Sequence, residues 1–258
     1  MNNASMLGLS INDDRESTNK KRRYLLVVLA AFLTGWVALA VDAPISQWCG
    51  AGKLPGDVEK FLHLAETFAH GAGVAMIILA MFILDPVRRF KIPRLVTMTL
   101  AAGLAANLVK LTIARSRPRA FDFDLSIWDS FQSWFPLASA GSAGQSLPSA
   151  HTTTAFAFAV GLVWAYPRGR VLFPTLAVLA ACQRIAVQAH FLSDVCWGIA
   201  LGSLIGFGMT KGWLSPSWLD RWEKSLARRQ ANRADHQPGA EPGEGQIAPD
   251  GDDERRAA

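Results

Sequence analysis

Residues 24–41 read YLLVVLAAFLTGWVALAV and contain no aspartate, glutamate, lysine or arginine. Four basic residues, 20–23, come directly before this stretch, and Asp42 follows it. A helix needs about 20 mostly apolar residues to cross a membrane, with a range of roughly 17 to 25. The stretch therefore predicts a membrane-spanning helix. An Ala-x-Ala pattern at residues 38–40 also allows a signal-peptide cleavage site, but the apolar run is long for a signal sequence, which favours a retained span.

Five further blocks lack these charged residues: 67–84, 95–109, 152–167, 171–183 and 195–210. The second block is long enough to span by itself. The shorter ones reach spanning length only if Lys110 and Arg184 lie inside or at the ends of their helices. The whole chain is 50% hydrophobic and only 18% charged, against about 25% charged residues in ordinary soluble domains. We therefore expect an all-α bundle of six transmembrane helices, and not a disordered chain or a disulfide scaffold.

The charged and polar segments divide the chain into three parts. Residues 1–23 form a polar N-terminal segment, 24–212 the six-span domain, and 213–258 a polar tail; both terminal segments are expected to be largely disordered. A short helix is predicted at residues 57–66, in the first outer loop. Lysine and arginine concentrate in alternate connections, which predicts that both termini are cytoplasmic. The cluster Arg115, Arg117 and Arg119 breaks that rule on the outer side, which suggests a role for these cations, although Arg115 and Arg119 are interpreted as interfacial or lipid-headgroup contacts.

Three polar groups lie at predicted span ends on this outer side, where polar residues are candidates for function. They are Lys110 with Arg117-Pro118, then Pro148-Ser149-Ala150-His151, then Arg184, His190 and Asp194. Cations without matching acids make a site for a polyanion, and arginine fits phosphate oxygens bidentately. The start of the helix at Ser149 adds free N–H groups and a positive dipole end.

The histidines supply the reactive groups. His190 and Asp194 are four residues apart and would be neighbours on a helical turn. A carboxylate that holds Nδ1–H of His190 would leave Nε2 as nucleophile or base, and His151 could donate a proton. His63 is interpreted as solvated, and His70 as a packed residue of the second span. Together the groups indicate phosphoryl transfer through a phosphohistidine.

The three groups, in this order and spacing, resemble the signature of the type 2 phosphatidic acid phosphatase superfamily, which also includes soluble vanadium haloperoxidases. The resemblance covers roughly residues 24–212. It implies that His190 is the nucleophile, oriented by Asp194, and that His151 protonates the leaving group. It also implies phosphate binding by the following residues: Lys110, Arg117, Ser149, Ala150 and Arg184. Neither a cofactor nor a metal is expected.

The resemblance also implies a lipid phosphate or diphosphate as substrate, contact with membrane lipids and no nucleic acid, at the outer face of a bacterial inner membrane. The lipid itself cannot be read from the motifs. Two residues depart from the usual pattern: Ala150 replaces glycine, which could reshape the phosphate cradle, and Gln183 replaces serine. A phosphotransferase with the same site remains open. A haloperoxidase is disfavoured by the six spans, and a transporter or scaffold by polar groups at span ends instead of the midplane.

Overall fold

The computed structural model describes residues 3–137 and 141–235 of the chain. In that part, nine α-helices and one two-stranded ribbon follow one another, joined by loops and 3₁₀ turns. The helices are α1 (Asn3–Ala38), α2 (Asp42–Gly50), α3 (Gly56–Glu66), α4 (Gly71–Leu84), α5 (Ile92–Lys110), α6 (Ala150–Ala165), α7 (Leu172–Ala186), α8 (Leu192–Thr210) and α9 (Ser217–Asp235). The strands β1 (Ile113–Arg115) and β2 (Phe131–Trp134) pair antiparallel. The predicted all-α fold is confirmed, with this ribbon as a small addition, and the short helix predicted at 57–66 is α3.

The six apolar blocks lie in α1 and in α4 to α8. Three helical stretches are long and apolar enough to cross a membrane: Lys21–Gly50, Arg89–Lys110 and Leu192–Thr210. The pair α3 and α4 meets the same test only as one bent span, and α6 and α7 are shorter apolar helices. The described residues thus give three or four crossings by length and composition, fewer than the six expected. Lys110 ends α5 and Arg184 lies in the last turn of α7, so these helices do extend to charged residues.

The second apolar block, residues 67–84, is not one straight helix. The chain breaks between α3 and α4, which meet at an angle of 60°. His70 begins α4 by accepting a hydrogen bond from the backbone N–H of Ala72 at 3.3 Å, so it caps a helix at the break between α3 and α4. A Cβ on Gly73 would stand 1.9 Å from the carbonyl oxygen of Thr67, so the bend requires glycine there. Counting apolar residues could not reveal this break.

The described parts of both polar terminal segments are helical. Helix α1 begins at Asn3, well before the apolar block. Helix α9 lies in the polar tail and is attached to α5 by Arg94, which contacts Asp220 at 2.5 Å and Glu223 at 2.7 Å. Arg94 is 4% exposed, so it forms a buried attachment point. The part of the tail after residue 235 lies outside the described residues.

Helix α6 lies at the centre of the bundle. Its Ala155, Ala157 and Phe158 are fully buried. On α8, the glycine seam formed by Gly198, Gly202 and Gly206 faces α6: a Cβ at Gly202 would stand 2.3 Å from the carbonyl oxygen of Thr153. Large apolar side chains are exposed on the outer helices instead, including Leu26, Leu33, Leu79, Ile83, Leu100, Leu104 and Leu108. An apolar exterior of this extent suits a lipid environment.

Candidate active site

The three polar groups meet at one end of the helix bundle. Helices α5 and α7 end there, at Lys110 and at the turn after Arg184. Helices α6 and α8 begin there, and the backbone N–H of Ser149 donates to the carbonyl oxygen of Asp194 at 3.2 Å. The helix ends therefore bring the second and third groups into direct contact.

His190 lies in the turn between α7 and α8 and is only 3% exposed. Its Nδ1 is 2.7 Å from the backbone carbonyl oxygen of Ser146. Burial, followed by the charges of Lys110 and Arg117, lowers the pKa of His190 well below its ordinary value, although the Ser146 contact opposes this. Arg184 acts in the same direction, so all three predicted phosphate-binding cations lie near the ring. A neutral imidazole held through Nδ1 has Nε2 available as nucleophile.

The expected direct hydrogen bond between His190 and Asp194 is replaced by a different arrangement. Asp194 Oδ2 accepts from the backbone N–H of Phe191 at 3.0 Å and from the hydroxyl of Ser146 at 2.6 Å. A carboxylate on the first turn of a helix reaches back to the residue that caps the helix, and this geometry turns Asp194 away from the ring. Ser146 connects the two, because its hydroxyl contacts Asp194 and its carbonyl contacts His190.

Arg115 is the main correction to the sequence interpretation. It was expected at the membrane interface, but it is fully buried. Its guanidinium pairs with Asp194 Oδ1 at 2.5 Å and with Asp42 Oδ2 at 2.8 Å. It also donates to the hydroxyls of Ser193 at 2.7 Å and Ser130 at 3.0 Å. Arg115 therefore joins the strand before Arg117 to the helix that follows His190.

Asp42 has no place in the sequence motifs. It is fully buried, and it accepts from the backbone N–H of Ser193 at 2.9 Å. Arg115 lies 73 positions further along the chain, so no local spacing links the two residues. The available signal was the breach of the positive-inside pattern at Arg115, Arg117 and Arg119. In the structure the three arginines differ in position. Arg115 is buried and structural, Arg117 lies in the site, and Arg119 is exposed.

The remaining cations are arranged for an anion. Within the described ranges, the Nε atoms of Arg117 and Arg184 are buried and have no hydrogen-bond partner. Burial, and then the charges of Arg119 and Arg184, lower the pKa of Arg117. Lys110 is 8% exposed. Mutual repulsion and unused donors of this kind are relieved when an oxyanion binds, because arginine forms its strongest hydrogen bonds with such ligands.

Ser149 caps α6 from a fully buried position. Its hydroxyl accepts from the backbone N–H of Thr152 at 3.4 Å and from the Thr152 hydroxyl at 2.9 Å. The helix begins at Ala150, so its first N–H groups lie at the site end of the bundle. A helix start of this kind favours an anion.

Comparison with known proteins identifies the family of the chain. The sequence profile of the PAP2 superfamily matches residues 91–215. A protein of Rhizobium johnstonii described as lipid A 1-phosphatase is 32% identical over 182 residues, covering 64% of this chain and 70% of that protein. The chain belongs to the PAP2 superfamily. A lipid A 1-phosphatase of Rhizobium etli is 31% identical over 181 residues, with coverages of 64% and 73%.

A solved structure was also compared with this PAP2 protein. It is the transmembrane PAP2 type phosphatidylglycerolphosphate phosphatase of Bacillus subtilis, with a TM-score of 0.46 and 17% identity, covering 72% of this chain and 94% of that one. Family membership, together with the spanning helices, identifies the chain as a membrane phosphatase.

The first departure from the usual PAP2 motif has no visible cost. Ala150 is the first residue of α6, with Ser149 at the cap in an extended conformation. Among the described residues, the non-glycine positions with positive φ are Phe135, Leu137 and Gln188. Ala150 is not one of them, so alanine adds no backbone strain at this position.

The second departure leads to a residue that the sequence analysis missed. Gln183 is 1% exposed, and its side-chain N–H donates to Glu66 Oε2 at 2.9 Å. The other oxygen, Oε1, forms a close ion pair with Arg184 and lies 3.9 Å from His151 Nε2. His63 is therefore not merely solvated, since its Nδ1 lies 3.8 Å from the same carboxylate. Nothing in the sequence distinguished Glu66 from the other acids of α3, because its partners Gln183 and Arg184 lie 117 and 118 positions further along the chain.

Proposed function

We propose that this PAP2 protein hydrolyses the phosphate ester of a membrane lipid through a phosphohistidine intermediate. The observation that supports this most directly is the buried His190, held through Nδ1 beside two arginines whose Nε donors are unused. The names of the two rhizobial relatives favour lipid A 1-phosphate as the first substrate to test, with other lipid phosphates and diphosphates after it.

In the proposed reaction, His190 Nε2 attacks phosphorus while the bond to the lipid oxygen breaks. His151 donates a proton to that leaving oxygen. Water then attacks the phosphohistidine and gives its proton to His151, which releases inorganic phosphate and restores both rings. Donors that hold the three equatorial oxygens stabilise the transition state more than the ground state. We assign that role to Lys110, Arg117, Arg184, the Ser149 hydroxyl and the backbone N–H of Ala150.

The active site is proposed to face away from the cytoplasm. Arg89, Arg168, Arg170 and Lys211 lie at helix ends opposite to those that carry the site, and basic residues concentrate on the cytoplasmic side. Reporter fusions after Arg89 and after Phe131 should therefore report opposite sides of the membrane. A cytoplasmic signal from the second fusion would contradict the orientation.

The decisive experiment uses purified protein in detergent and lipids labelled on the phosphate. Wild type should release free phosphate and carry a trapped label on histidine. His190→Ala should melt normally but show less than a few per cent of the wild-type rate and no trapped label. Label transferred to a second lipid would indicate the phosphotransferase alternative. Normal turnover by His190→Ala would disprove the nucleophile assignment.

A further inference from the structure

Glu66 is an acid inside a site built for an anion. Its carboxylate pairs with Arg184, one of the proposed phosphate donors, and its side chain is 28% exposed. A negative group in this position repels phosphate and occupies a donor that phosphate needs. Such an arrangement opposes phosphate binding, which points to another role for Glu66.

The position of the carboxylate relative to His151 suggests that purpose. Glu66 Oε1 lies 3.9 Å from His151 Nε2, and His151 is the residue proposed to protonate the leaving oxygen. The leaving group must therefore pass close to Glu66. A leaving group that carries its own negative charge, such as the second phosphate of a diphosphate, would meet the carboxylate at this point.

We propose that Glu66 is a specificity-determining residue that makes the site favour phosphate monoesters over diphosphates and weakens its hold on inorganic phosphate. The inference rests on the proposed function. A substrate phosphate displaces the carboxylate from Arg184, and the carboxylate returns to Arg184 as the product leaves. Attached neutral or hydroxyl-bearing leaving groups experience no such repulsion, and hydroxyls can donate to the carboxylate.

Gln183 makes this arrangement particular to chains with a long amide at that position. Its buried side chain donates to Glu66 Oε2 at 2.9 Å. The serine usual in the family motif is two atoms shorter and would not reach the carboxylate. The Gln183 contact thus positions Glu66 on Arg184.

The test compares wild type with Glu66→Gln and with Glu59→Gln, as full-length proteins in detergent. Glu59 lies on the same helix with 56% side-chain exposure and no contact to Arg184, so it controls for the loss of one charge. The readouts are the inhibition constant of inorganic phosphate and the ratio of kcat/KM for the diphosphate and monophosphate of one lipid.

Glu66→Gln should bind inorganic phosphate roughly ten-fold more tightly, the scale of one hydrogen bond to a charged group. It should also raise the diphosphate-to-monophosphate ratio, while Glu59→Gln changes neither quantity more than about two-fold. Loss of packing alone would not tighten phosphate binding. Unchanged or weaker phosphate inhibition in Glu66→Gln would overturn the inference.

A second variant keeps the proposal testable if Glu66→Gln does not fold. Gln183→Ser keeps the carboxylate but removes the donor that holds it, so phosphate inhibition should tighten in the same direction by a smaller factor. If Glu66→Gln does not fold and Gln183→Ser leaves the inhibition constant unchanged, the inference is wrong. A wild-type protein that neither releases phosphate nor is inhibited by it would instead contradict the proposed function.

Discussion

Replacing Arg115 by methionine should destabilise the protein strongly. The substitution keeps a long apolar stem between Phe131 and Phe191, whose rings lie 4.6 and 4.4 Å from the guanidinium carbon. It removes the charge that compensates Asp42 and Asp194, both fully buried. Breaking a buried ion pair from one side costs about 3–5 kcal/mol, because the remaining charge stays buried without its partner.

The magnitude can be expressed as a melting temperature. A change of 1 kcal/mol shifts the midpoint by about 2–4 °C in chains of 150–250 residues, so Arg115→Met should melt roughly 6–20 °C lower than wild type. Arg119→Met is the control, since Arg119 is an exposed arginine in the same connection between α5 and α6. It should stay within about 2 °C of wild type. The assay is thermal unfolding of the purified proteins in one detergent.

Asp42→Asn in the Arg115→Met background provides the sharper test. The double variant has one uncompensated buried anion fewer, and an amide oxygen can still accept from the Ser193 N–H. It should therefore melt above Arg115→Met alone, as expected of coupled neighbours. An Arg115→Met protein that melts within about 2 °C of wild type would refute the argument, as would a double variant that melts lower still.

Three further predictions concern the reaction. The pKa of His190 lies well below its ordinary value of 6.5, so the nucleophile stays neutral as the pH falls through 6.5. A pH profile of kcat/KM should therefore show no half-maximal point near pH 6.5. Activity should survive excess EDTA, because Lys110, Arg117 and Arg184 supply the positive charge at the site. Within the described residues, no three His, Cys, Asp or Glu side chains are grouped to hold a metal. Complete loss of activity in EDTA, restored by magnesium, would count against this prediction. Vanadate should inhibit more tightly than phosphate, since vanadium accepts five ligands as phosphorus does in the transition state. Arg184→Ala should weaken vanadate inhibition at least about ten-fold. Equal, weak inhibition of the wild-type enzyme by both anions would contradict this prediction.

The sequence was sufficient for the features that depend on local pattern. The apolar blocks predicted the positions of α1 and of α4 to α8. Helices α5 and α7 extend to the charged residues Lys110 and Arg184, as the shortness of their apolar blocks predicted. The three polar groups converge because consecutive helices alternate in direction, so residues at alternate helix ends reach one face of the bundle.

The features that were missed depend on contacts between distant segments. Arg115 looked like an interfacial cation because its partner Asp42 stands at the end of the first apolar block, far away in sequence. Glu66 looked like one acid among several on α3, since its partner Arg184 lies 118 positions further along the chain. Helix α9 is polar, and its attachment depends on Arg94, which the sequence presents only as one of several basic flanking residues.

The glycine seam has a consequence for how this protein could diversify. Because α8 meets α6 backbone to backbone at Gly202, the helices that begin at Ser149 and carry Asp194 are locked in register by atoms that every amino acid shares. The exposed leucines of α1, α4 and α5 have no such restriction. Evolution could therefore exchange the lipid-facing surface to suit a different membrane or a different acyl chain, while the phosphate chemistry stays in place. By contrast, even an alanine in the glycine seam would move the helix that begins at Ser149 relative to the helix that carries Asp194.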